Sequence, residues 1–186
     1  MKKYLPAAAA VVAAVVITAP TAVAAPAARL ADAGTTTIAA ARAATPAATE
    51  SPVRVLRSGE RVDAGRGWTV WLTKEGKHWS GKDGFEEFRS VADGNLDLSG
   101  PGVSHQSESD ANGAFHSGLY YGTREAGRVE LTGADGRRTV TTLLELAGRP
   151  GWGVWYAHGP ATGADGPAVA LYDRTGRLLA DLPGTP

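Results

Sequence analysis

The sequence predicts an all-β fold, an antiparallel β-sandwich (Ig-like or jelly-roll-like) or a small barrel with at most one short helix. Three observations predict it. After Pro52 the composition turns to alternating apolar and polar residues punctuated by glycine. Two segments then read as hairpins, and the remaining strand candidates recur at short spacings divided by Gly-, Pro- or Asp-rich turns.

The elements follow in chain order. Val53–Leu56 and Trp68–Thr73 read as strands. Gly84–Val91 reads as a single helical turn, because Phe85, Phe88 and Val91 recur every three residues. Gly100–Gly113 holds Ser, His, Gln, Glu, Asp and Asn with Val103 as its aliphatic anchor, and reads as a long loop of the kind that carries binding groups on a rigid sheet. Phe115–Tyr121 and Trp152–Ala157 are further strands. Between them, Val129 and Leu131 alternate with Glu130 and Thr132, Gly133-Ala134-Asp135-Gly136 supplies turn chemistry, and Arg138–Thr141 resumes the extended pattern. Val169 and Leu171 run into Asp173-Arg174-Thr175-Gly176, and Leu178-Leu179 return. Some eight short strands result.

The segment before this domain has a different logic. Lys2 and Lys3 form a positive n-region, Leu5–Thr18 an apolar stretch, and Ala22-Val23-Ala24 a small-residue cleavage site, so residues 1–24 read as an export signal cut after Ala24. That apolar run is shorter than the ~20 residues a bilayer core requires, and Pro20 interrupts it, which favours secretion over a membrane anchor. Residues 25–52, almost all Ala, Thr and Pro, read as a disordered tether, and residues 53–186 as the β domain. An extracellular or wall-associated monomer is expected, with no membrane contact once the signal is removed.

Composition narrows function. Lys plus Arg and Asp plus Glu are 19 each, so losing Lys2 and Lys3 leaves 17 cationic against 19 anionic side chains, a net charge of −2. The signs are interspersed, which argues against a nucleic-acid partner. The absence of cysteine excludes a disulfide scaffold, a thiol nucleophile and a cysteine zinc site.

Candidate site residues are few. Period two sends Trp68 and Trp152 to one face of their strands, and Trp71 and Trp155 to the other. Core packing is the favoured reading of all four, while the rival reading makes Trp71 and Trp155 a platform on which a sugar ring or a peptide stacks. Tyr121 and His105, in the neighbouring strand and the polar loop, complete the candidate ligand-binding set. His78, His105, His116 and His158 form no HxH, HxxxH or HExxH pair, which argues against zinc. Ser104-His105 and His116-Ser117 place a hydroxyl beside an imidazole, but adjacent strand residues face opposite ways and no GxSxG elbow is present. Asp93, Asn95 and Asp97 alternate as in a calcium loop, then depart from it at Leu98 and Ser104, so calcium is a minor reading beside a solvated turn.

The run GRVELTGADGRRTVTTLLEL…GWGVWYAHGP…AVALYDRTGRLLADL, residues 127–182, resembles an uncharacterised β-rich extracytoplasmic module of actinobacterial secreted proteins. The resemblance implies an exported β domain ending in a hairpin and transfers no catalytic residue. The aromatic-bearing strands, the polar loop 100–113 and the tether suit the expected function, a secreted, non-enzymatic binding or cell-envelope-associated domain with a protein or cell-wall polysaccharide partner and no cofactor. One alternative is a hydrolase using carboxylates from Glu86, Glu87, Glu108 or Asp110 near His105 or His116. The other is an extracellular protease inhibitor inserting loop 100–113.

Overall fold

The computed structural model describes residues 52–110, 113–160 and 166–185. The predicted export signal, and all of the predicted tether except Pro52, lie outside the described residues. The described chain is an all-β sandwich of fourteen strands: β1 (Arg54–Leu56), β2 (Val62–Gly65), β3 (Trp68–Thr73), β4 (Gly76–Ser80), β5 (Glu86–Ser90), β6 (Gly102–Val103), β7 (Gln106–Asp110), β8 (Gly113–Tyr121), β9 (Ala126–Thr132), β10 (Arg138–Val140), β11 (Thr142–Leu146), β12 (Trp152–Gly159), β13 (Ala168–Asp173) and β14 (Leu178–Leu182).

These strands form three sheets. The meander β2-β3-β4-β5 is the first, and β10-β9-β13-β14 is the third. The central sheet runs β1-β11-β12-β8, with β6 and β7 both pairing with β8 on its far side. Its β1–β11 pair is parallel, a departure from the antiparallel pattern elsewhere. The chain passes from the third sheet to the central one at Thr141, which is buried and donates its N–H to Val129 O before β11 begins. The hairpin read around the Gly133–Gly136 turn is thus β9–β10, followed by a strand that changes sheet.

Two apolar cores result, one on each face of the central sheet. Leu56, Phe115, Leu119, Leu144, Leu146, Trp152 and Val154 meet Val62, Ala64, Val70, Leu72 and Trp79 of the first sheet. Trp68 packs on this core, its ring stacked on Phe115 with centroids 4.5 Å apart. On the opposite face, Tyr120, Leu143 and Trp155 meet Val129, Leu131, Val169 and Leu171 of the third sheet. Each fully buried aliphatic or aromatic side chain stabilises by about 1.5–3 kcal/mol over its exposed state, so both interfaces weigh in the fold.

Two sequence expectations are corrected. Gly84–Val91 is not helical: Glu86–Ser90 is β5, paired in register with β4 from Gly76↔Ser90 to Ser80↔Glu86. The three-residue recurrence spans an exposed Phe85 ahead of the strand, an outward Phe88 and a buried Val91 beyond it, so it marks no single face. Residues 100–113 are not a long loop either. Gly102–Val103 pairs with Tyr120–Tyr121, and Gln106–Asp110 pairs with Gly113–Ser117.

Candidate functional site

The outer face of the first sheet carries a row that crosses β3, β4 and β5 and is joined by a residue flanking β2. Register places Trp71 opposite His78, and His78 opposite Phe88, with Arg61 entering from the residue before β2. The guanidinium carbon of Arg61 lies 3.8 Å from the Trp71 ring centroid. His78 stacks on Trp71 with centroids 5.3 Å apart and 11° between planes, and Phe88 tilts against His78 at 4.6 Å. Arg61 is also tied to Glu86 by an ion pair of 2.6 Å. Both partners are half-exposed, so this pair orders the surface more than it stabilises the fold. Burial pulls the His78 imidazole below its usual range, with Glu86 and Glu75 opposing, so it is neutral at pH 7.

At the end of the row the face opens. Phe88 is 49% exposed and Phe85, just before β5, is 74% exposed. Among the described residues β5 is an edge strand, with a strand partner on one side of its backbone only. Trp71 itself, at 5% exposure beneath Arg61 and His78, offers no open ring face.

Trp155 lies elsewhere, in the second core, and offers no platform. It is 0% exposed in the second core, its indole N–H donates to Ser104 O at 3.1 Å, and His105 stacks on it at 5.9 Å. The reason is the third sheet, which covers the face that a two-layer sandwich would leave to solvent. Tyr121 is half-buried against the first core, and Gly102 sits so close that an added Cβ would fall 2.3 Å from its ring.

His105 and His116 do converge. Nε2 of His105 and Nδ1 of His116 are 3.1 Å apart, one donating to the other according to tautomer. Burial, then the neighbouring His116 and Lys77, push the His105 imidazole down to about 4; burial and then His158 lower His116. His158 Nε2 is 2.7 Å from Ala64 O, and His78 sits on the outer face of the first sheet. Among the described residues no group of three or more His, Asp or Glu side chains is placed to hold a metal ion. Asp93 accepts from the N–H and side-chain amide of Asn95, and Asp97 accepts from the N–H and hydroxyl of Ser99, so the oxygens of the calcium-loop candidate serve their own turns.

A polar cluster that the sequence reading did not single out lies between the first and central sheets. Lys77 on β4 is 0% exposed. Its ammonium donates to Ser117 Oγ at 2.6 Å and to Gln106 Oε1 at 3.1 Å, and lies 4.0 Å from the Trp79 ring centroid. Trp79 in turn donates its indole N–H to Glu108 Oε1 at 2.5 Å. Burial pushes the Lys77 amine down to about 7 while the Glu108 charge opposes, and burial pushes the Glu108 carboxyl up against the Trp79 and Lys77 contacts. Ser117 thus faces Lys77, while its sequence neighbour His116 faces His105. Of the carboxylates named for a hydrolase, Glu86 pairs with Arg61 and Glu108 is in the lysine cluster. The side chain of Asp110 lies outside the described residues.

No family model, no curated protein and no solved structure matches this chain.

Proposed function

We propose that the chain is an exported, non-enzymatic binding domain that receives an extended segment of a protein partner along β5, with Phe85 and Phe88 as its apolar anchors. Export rests on the three-part signal pattern of residues 1–24. The observation that carries the binding surface is the exposure of two phenylalanines, 74% and 49%, beside a strand edge that is unpaired among the described residues. Aromatic anchors with a neighbouring backbone edge suit an added strand, whose main chain supplies hydrogen bonds while alternate side chains meet the pockets. Glu86, Glu87 and Arg89 set the charge register for such a partner and discourage indiscriminate edge pairing. A polysaccharide fits this face less well, because the largest ring of the row is covered.

Panning a random linear peptide library on the full chain tests the reading. Peptides of alternating apolar pattern are expected to enrich and to lose binding in a Phe85→Ser/Phe88→Ser chain whose melting curve is unchanged. Equal enrichment on that variant, or retention on isolated peptidoglycan with no peptide selected, would contradict it.

A further inference from the structure

The chain has no cysteine, so no disulfide ties its sheets together. We infer that Lys77 and Gln106 join in an intramolecular amide bond, a covalent cross-link from β4 of the first sheet to β7 at the edge of the central sheet. The arrangement is that of the two reactants. Nζ is 3.1 Å from Oε1, so the Gln106 carbonyl carbon, one C=O bond of about 1.23 Å further, lies within about 4.3 Å of the nucleophile. The Lys77 ammonium is held by Ser117 Oγ and the face of Trp79, and the Gln106 backbone is set by its β-ladder partner Ser117. Such enforced proximity replaces a bimolecular encounter and accounts for a reaction that free lysine and glutamine do not undergo at a useful rate.

The chemistry balances without an outside reagent. The lone pair of neutral Nζ forms a bond to Cδ of Gln106, and the carbonyl oxygen takes up negative charge in the tetrahedral adduct. The Cδ–Nε2 bond then breaks, the carbonyl reforms, and ammonia leaves. One proton must travel from Nζ to the departing nitrogen. Glu108, on the same face of β7 two residues on, is the carrier: its carboxyl gives a proton to Nε2 and its carboxylate takes one from Nζ. Burial moves both participants towards their reactive forms, lowering the Lys77 amine to about 7 and raising the Glu108 carboxyl. Glu108 also lines a small cleft with Arg66, Lys82 and His158.

Intact mass spectrometry of the purified full chain, read against its own N-terminus, tests this directly. The mass is expected to fall short by one ammonia, about 17 Da, and digestion is expected to yield a branched peptide joining Lys77 to Gln106. Lys77→Met and Gln106→Met chains are expected to show no shortfall, and Glu108→Gln to retain the full mass with both reactants present. The loss of a tie across some 30 residues is expected to lower the melting temperature of the Gln106→Met chain by on the order of 10 °C. A wild-type chain of full mass with linear Lys77 and Gln106 peptides overturns the inference, as does ammonia loss that maps elsewhere. A Glu108→Gln chain that cross-links to completion overturns the role given to Glu108.

Discussion

Replacing Trp155 by alanine separates a core residue from a surface platform, and the structure sets the size of the effect. The indole is fully buried between the central and third sheets, faces Gly118 across the β8–β12 ladder, and donates to Ser104 O. Truncating a buried Trp costs about 3–5 kcal/mol, because the lost transfer energy adds to that of a cavity whose walls, here two strand ladders, collapse poorly. Leaving the Ser104 carbonyl without its donor adds roughly 1 kcal/mol. Against a typical domain stability of about 5–15 kcal/mol, the variant should melt at least ~10 °C lower or fail to fold. Trp71→Ala is the matched control: the long Arg61 side chain and His78 can settle over the gap from the solvent side, so a loss of about 1–2 kcal/mol is expected. Thermal unfolding followed by circular dichroism reads both. A Trp155→Ala melting point within ~2 °C of the parent would refute the second core.

Two further outcomes follow from close packing and from proton linkage. Gly118→Ala places a methyl 1.9 Å from Ser104 O and 2.7 Å from Trp155 Nε1, and should cost about 1–3 kcal/mol in urea titrations at unchanged fold. His105, held down to about 4 in the folded chain against ~6.5 unfolded, contributes stability that is present above pH 6.5 and is lost as pH falls towards 4, where the unfolded imidazole alone takes up a proton. His105→Phe keeps a ring on Trp155 and should flatten that part of the melting-temperature profile; an unaltered profile would count against the assignment.

Strands whose two faces differ in polarity, or whose turns carry their own chemistry, were legible in the sequence. Trp68–Thr73 is β3 to the residue, and the Asp135 and Asp173 turns close β9–β10 and β13–β14 through carboxylates that accept the N–H groups of Arg137 and of Thr175 and Arg177. What escaped was set by partners distant in sequence. Gln106 and Glu108 make β7 look like loop because their polar side chains point inward, to a lysine and an indole 29 residues away in each case. Lys77 alternates with the outward His78 and shares the inward face with Trp79, a weak signal that a charged residue ordinarily overrides. The third layer had a clearer mark: Trp152-Gly153-Val154-Trp155 is a run with no polar or charged alternation, as a strand covered on both faces requires, and all four positions are buried. The aromatic row was half legible, since Trp71 was singled out while its neighbours Arg61, His78 and Phe88 depend on register.

The binding surface is tested most directly by amide hydrogen exchange across β5 with and without a selected peptide. Protection gained at the β5 amides that β4 leaves unpaired, with the β14 and β1 edges unchanged, is the predicted result. Protection that appears at another edge, or nowhere on the first sheet, would contradict the account.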